Sequence, residues 1–217
     1  RTGAAVHVPV SHRVDRILCC DAAGRCQDIH IREGDRFPES VTVSVEEMGG
    51  RGGGISFPFF DDEGRSCMLS ARGHLVLPDG EMHLSQTVSC TPVTHRGILA
   101  AGTLTGTIVF CDMKAMTIIR EFDPHTLLSV SGLVGDGRGV CAACMDETIR
   151  GLDWEGCLRW ETQLSAKNYG YSVYGSVPVV AGDTILVTAF PDRVVGLSSM
   201  DGKKIWEREI GPCHTFT

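Results

Sequence analysis

One pattern recurs along this chain and limits its fold more than any other. An apolar residue is followed after a short gap by a glycine, and four residues later by a large apolar side chain. In VVGLSSMDGKKIWEREIG (194–211) the three are Leu197, Gly202 and Trp206, with the turn signal Asp201-Gly202 between two strand-like runs. In GLDWEGCLRW (151–160) they are Leu152, Gly156 and Trp160, one residue closer together. Phe110, Ala115 and Ile119 repeat the pattern with Ala for Gly; Leu75, Gly80 and Leu84 repeat it again; Cys19, Gly24 and Asp28 do so weakly. The recurrence comes roughly every forty residues, the period of one supersecondary unit rather than of a helix. The first interval is longer, and the Gly-rich MGGRGGG (48–54) is the place for the extra length.

Each hairpin is preceded by another apolar strand: ISFPFFDDEG (55–64), RGILAAGTL (96–104), GRGVCAACM (137–145) and GDTILVTAF (182–190). Gly, Asp and Pro break these runs, as tight turns require. Helical periodicity is nearly absent; even in ESVTVSVEEM (39–48) Val41, Val43 and Val45 alternate as a strand does. A sheet this small cannot bury both of its faces, but sheets stacked around a common axis cover one another. The expected fold is therefore all-β, a β-propeller of about five visible four-stranded blades, possible as an arc of a larger ring. Its approximate blades are 1–47, 55–92, 93–130, 131–173 and 174–217, within one domain 1–217. Trp160 and Trp206 are expected to pack between adjacent blades, with Gly156 and Gly202 anchoring the turns. A two-layer β-sandwich is the competing arrangement. Because the chain opens at Arg1 without Met, it reads as a piece of a longer polypeptide.

Composition narrows the function. Of 217 residues 42% are hydrophobic and 22% charged, with a formal net charge of −7. A negative surface repels phosphate backbones, and Lys203-Lys204 is the lone Lys/Arg doublet, so no nucleic-acid partner is expected. No run approaches the length of a membrane span, so no membrane association is expected. Several of the ten cysteines fall in strand-like apolar runs, where a free thiol behaves as a small hydrophobe. With no Asn-x-Ser/Thr sequon, this favours reduced thiols and an intracellular, cytoplasmic location.

The hairpin, preceded by Pro178-Val179-Val180 and Gly182-Asp183 and followed by Gly202-Lys203 and Trp206, resembles the PQQ-like (quinoprotein-type) β-propeller repeat. The resemblance is strong over about 130–217 and weaker upstream. A rival is the WD-repeat, which MDETIRGLDWEGCLRW and LTGTIVFCDMKAMTIIREF also resemble; there the tryptophan should precede the turn, and no Gly-His opens a unit. Quinoprotein dehydrogenases with this repeat hold a quinone over calcium with Glu, Asn and Asp, against a Trp and a vicinal disulfide. Cys19-Cys20 is vicinal but sits in the strand run RILCCD, and Asn168 is the sole Asn, so no cofactor is expected. The repeat also occurs in assembly scaffolds and in modules appended to larger enzymes. The expected function is thus a non-catalytic scaffold or protein-interaction module. An alternative is a regulatory or substrate-presenting module of a larger enzyme, for example an adenylate-forming one; a quinone-dependent oxidoreductase is the remote third.

The candidate sites follow. All three tyrosines, Tyr169, Tyr171 and Tyr174, fall in KNYGYSVYG with Lys167 and Asn168, where the chain crosses from one blade to the next. Such a crossing reaches a rim, and tyrosine suits recognition surfaces, so these five residues form the candidate partner-binding rim. The partner expected is a protein or another domain of the same chain. Inter-blade packing is the competing role for the tyrosines. Cys141 and Cys144 form a Cys-x-x-Cys, but in a strand residues three apart face opposite ways, which fits a core role and no metal. The dispersed histidines show no ligand spacing, and GGRGGG lacks the Gly-Lys-Ser/Thr end of a phosphate loop. Asp61-Asp62-Glu63 does not alternate as calcium loops do, and reads as a solvated turn.

Overall fold

The computed structural model describes residues 11–13, 16–20, 26–33, 41–48, 55–164, 177–189 and 193–209, the part before residue 55 by its backbone. All regular structure among them is strand, gathered in five four-stranded antiparallel sheets, each of four consecutive strands. None of the described residues forms a helix long and apolar enough to cross a membrane. The first sheet holds β1 Ser11–Arg13, β2 Arg16–Cys20, β3 Cys26–Glu33 and β4 Val41–Met48, so the alternating valines do form a strand. The second holds β5 Ser56–Phe60, β6 Ser66–Ser70, β7 His74–Leu77 and β8 Gly80–His83. The third holds β9 Val93–His95, β10 Ile98–Gly102, β11 Ile108–Asp112 and β12 Thr117–Phe122. The fourth holds β13 Val130–Asp136, β14 Gly139–Cys144, β15 Thr148–Leu152 and β16 Leu158–Gln163. The fifth holds β17 Val179–Ala181, β18 Thr184–Ala189, β19 Arg193–Ser198 and β20 Lys204–Glu209.

The chain divides into two compact units, 1–85 and 86–217. In the first, Phe57, Phe59, Met68, Leu69 and Leu75 of the second sheet are buried. Its β5–β6 turn is not wholly solvated: Asp61 is buried and accepts Arg65 N–H at 2.8 Å and Arg65 Nε–H at 2.7 Å, while Asp62 and Glu63 are exposed and Glu63 lies 3.3 Å from Arg65 Nε.

In the second unit the third and fourth sheets bury a shared core of Ala100, Ile108, Phe110, Val140, Ala142, Cys144 and Leu152. The fourth and fifth share another, of Cys141, Ala143, Ile149, Ile185, Val187, Val195 and Leu197. Sheets therefore meet face to face, each too thin to shield itself. β14 serves both cores by alternation: Cys141 points to one and Cys144 to the other, so the Cys-x-x-Cys pair cannot hold one ion between its thiols.

The repeated hairpin acquires a physical basis here. In all three sheets of this unit the third and fourth strands shift register by one residue at the same step, at Phe110/Cys111, Gly151/Leu152 and Gly196/Leu197. The turn beyond it holds one residue with a left-handed backbone: Met116 (φ 54), Gly156 (φ 79) or Gly202 (φ 70). The third hairpin thus departs from the sequence alignment. Met116, not Ala115, takes the glycine's place, and Arg120, not Ile119, pairs across as Trp160 and Trp206 do. The second hairpin departs further. Gly80 opens β8 after a tight turn, and Leu84 lies beyond the strand, buried.

Candidate protein-interaction rim

Because strands alternate in direction, β10, β12, β14 and β16 end where β11, β13, β15 and β17 begin. The loops 103–107, 123–129 and 145–147 therefore gather at one end of the second unit. The turns 113–116, 153–157 and 199–203 gather at the other.

The first of these ends is apolar and firmly built. Gly106 N–H donates to Thr103 O at 3.2 Å, and Val130 N–H to the same carbonyl at 3.0 Å. Gly106 has φ +89, and a Cβ there would lie 2.7 Å from Leu128 O, so only glycine lets the two loops meet. Asp123 caps the crossing loop by accepting His125 N–H at 2.7 Å, and its carboxylate lies 3.1 Å from His125 Nδ1. Ser129 O accepts Met145 N–H at 2.9 Å, and Ser129 Oγ–H donates to Met145 Sδ at 2.9 Å. These contacts tie three loops into one surface, on which Leu104, Leu127, Leu128 and Met145 stand exposed. Leu127 is 80% exposed with φ 55. A leucine in the left-handed region costs about 1–3 kcal/mol, and here it holds an apolar side chain in water.

The opposite end is polar and structural. Trp160 lies on its cross-strand partner Gly151, where a Cβ would sit 2.2 Å from the ring. It reaches the fifth sheet: Gly202 approaches so closely that a Cβ would lie 2.3 Å from Trp160 Cε3, and Trp160 Nε1–H donates to Ser199 O at 3.3 Å. Thr162 Oγ1–H adds a bond to Gly202 O at 2.7 Å. Gly156 lies likewise on Phe110 and Arg120 of the third sheet. Trp206 covers Gly196 of its own sheet and is 37% exposed, less buried than the packing between sheets expected of it. Arg138 bridges the fourth and fifth sheets by pairing with Asp183 and donating to Ser199 Oγ at 2.8 Å.

Lys167, Asn168, Tyr169, Tyr171 and Tyr174 lie outside the described residues. The residues on either side of that stretch, Leu164 and Val177, follow β16 and precede β17 at the apolar end. Sequence reading missed Leu104, Leu127, Leu128 and Met145. A leucine in a crossing loop looks like any other leucine until its exposure and backbone are known.

Burial pushes the thiols of Cys67, Cys90 and Cys111 up to about 12 and that of Cys144 to about 11, so they stay neutral at physiological pH. Among the described residues no cluster of three His, Cys, Asp or Glu is placed to hold a metal. A small cleft of about 20 Å³, open to solvent, lies between the fourth and fifth sheets beside Arg138, Trp160 and Ser199, on the structural end.

No family model matches the sequence, and no curated protein matches it either. Solved structures do. BamB from Moraxella catarrhalis, a PQQ-like β-propeller repeat protein, aligns over 95% of this chain at TM-score 0.65 and 13% identity. The fold is a β-propeller. The four-stranded sheets are its blades. The computationally designed Ika8 protein aligns with the propeller over 94% of the chain at TM-score 0.69 and 12% identity. The chain spans 62% of BamB and 61% of Ika8. Quinohemoprotein alcohol dehydrogenase from Comamonas testosteroni aligns over 57% of the propeller chain and 21% of its own length, at TM-score 0.46 and 14% identity, too loosely to carry any inference.

Proposed function

We propose that this propeller is a non-catalytic protein-binding scaffold, whose partner, another protein or another domain of its own chain, seats on the rim formed by loops 103–107, 123–129 and 145–147. The carrying observation is Leu127, a large apolar side chain held in water on a strained backbone by a bonded loop. Leu104, Leu128 and Met145 extend it into a patch, the kind of surface that marks interaction sites on soluble proteins. We further propose that the sequence stretch with Tyr169, Tyr171 and Tyr174 contributes to partner binding. The thiols of Cys67, Cys90, Cys111, Cys141, Cys144 and Cys157 are all free, which supports an intracellular location.

The test is site-specific photo-crosslinking in cells. A crosslinker at position 127 should capture a discrete protein, and one at Lys114, on the opposite end, should not. Replacing Leu127 and Leu128 by Ala should then weaken binding of the purified partner by about tenfold or more, the effect of losing a hot spot, with the melting temperature unchanged. Equal capture from both ends, or capture from neither, contradicts the reading.

A further inference from the structure

The loops 103–107 and 145–147 are one turn built twice. Ala101 pairs with Val109 as Ala142 pairs with Arg150, and the register shift follows at the next residue in both sheets. Leu104 therefore matches Met145 on the rim, and Gly106 matches Glu147. Gly106 N–H donates to Thr103 O at 3.2 Å, and Glu147 N–H to Cys144 O at 3.0 Å. Both residues are left-handed, at φ 89 and φ 60. Glycine adopts that backbone freely, whereas a residue with a Cβ is strained there. The fourth sheet thus makes with glutamate a turn that the third makes with glycine.

A second difference lies three residues further on. In the third and fifth sheets the place of Arg150 is taken by Val109 and Val195, each paired with a glutamate on the outer strand as Arg150 is with Glu161. Both valines are buried, so an apolar side chain satisfies the packing at this position. Arg150 is also buried, at 3% exposure. Its Nη2–H donates to Asp146 Oδ2 at 2.9 Å, its Nη1–H to Asp146 Oδ1 at 3.4 Å and its Nε–H to Glu161 Oε2 at 2.7 Å. Asp146 immediately precedes Glu147. It also accepts Thr148 N–H at its Oδ1, 3.0 Å away, and Gln163 Nε2–H at its carbonyl, 2.9 Å away. A buried ion pair adds little stability over an apolar side chain, because desolvating the charges offsets their attraction. What this arginine does and a valine cannot is grip the residue beside the strained one.

We propose that Arg150 is a positioning residue of the rim: by clamping Asp146 it holds Glu147 in the left-handed turn, and so fixes Met145 beside Ser129 on the surface proposed for partner binding. The last consequence alone rests on that reading of the rim. The third sheet needs no clamp, because Gly106 takes the same turn unaided.

Amide hydrogen exchange in the 217-residue chain, followed by NMR, tests the clamp. Asp146→Thr with Arg150→Val gives the fourth sheet the residues of the third, Thr105 and Val109. Exchange of the Met145 and Glu147 amides should then speed up by about tenfold or more, while the amides of β18 keep their rates. Adding Glu147→Gly should restore slow exchange at Met145 and at position 147, since glycine needs no help to hold the turn. An arginine of merely structural importance would gain nothing from that third substitution. Unchanged exchange at both amides in the double variant overturns the proposal, and so does a loss that Glu147→Gly fails to restore. Should the double variant not fold, Asp146→Asn keeps the side chain's size and removes its charge; it should still speed exchange at the two amides by about threefold or more, and no change there overturns the proposal. Exchange needs no partner, so it reads the turn whether or not the rim is occupied. For the rim, the protein captured at position 127 should bind the double variant about fivefold more weakly and the triple variant as it binds the natural chain. Equal binding by all three overturns the role in presenting Met145.

Discussion

At the scale of single residues, the turn glycines show how little space separates adjoining sheets. Gly202 combines φ +70 with a ring atom 2.3 Å from where its Cβ would be; Gly182 has φ +63 and nothing within 4 Å. Gly202→Ala therefore meets both backbone strain and overpacking, and should destabilise by about 2–4 kcal/mol. Gly182→Ala meets the strain alone and should cost about 1 kcal/mol. Urea melts of the two variants check the contrast. The buried thiols make a second residue-scale prediction. Their folded-state values, about 11 to 12, lie above the ordinary 9.0, so above pH 9 the unfolded chain gives up protons that the folded chain keeps. The stability they contribute is full below about pH 9 and is lost as pH rises toward 12. Thermal melts should therefore fall progressively above pH 9, and in native protein at pH 8 an alkylating reagent should modify the partly exposed Cys157 ahead of Cys67, Cys90, Cys111, Cys141 and Cys144. Faster labelling of Cys90 or Cys141 would contradict the burial described here.

At the scale of elements, the two tryptophans share a sequence context and differ in surroundings. Trp160 touches its own sheet and the next; Trp206 covers Gly196 of its own sheet and is 37% exposed. Trp160→Ala should cost about 3 kcal/mol, at the lower end for a buried tryptophan, and Trp206→Ala about 1 kcal/mol in the 217-residue chain, read from chemical denaturation. The strands, their order and the hairpin repeat were legible because apolar alternation and turn residues are local signals. The third hairpin's register was not. A left-handed Met116 takes the glycine's place at a conformational cost no composition rule reveals, and Phe110 on β11 supplies the ring that a fourth-strand tryptophan supplies elsewhere. Asp61 was misread for a similar reason: its burial depends on Arg65 folding back over it, a contact made in three dimensions.

At the scale of the whole molecule, the sheets are the repeating unit and the two ends of the second unit differ in kind. One end anchors sheet to sheet through glycine turns and polar bonds; the other presents leucines. The repeat was readable from sequence because each sheet needs the same solution to the same exposed face. The described rim was not readable: Leu104, Leu127 and Met145 belong to separate loops that only the fold brings together. A charge at the rim, Leu127→Asp, should abolish partner binding and leave the melting temperature within about 1 °C, since an exposed side chain contributes little to folding. A fall of several degrees would move Leu127 into the structural account.

The central claim is that neighbouring sheets are held together where a turn glycine meets a ring, and a double-mutant cycle across Trp160 and Gly202 tests it most directly. With Trp160 present, Gly202→Ala forces a methyl into the ring; with Trp160→Ala already made, only backbone strain is left. The account predicts a coupling free energy of about 1–2 kcal/mol, the double variant being more stable than the sum of the single effects. Additive effects, within about 0.3 kcal/mol, would contradict it.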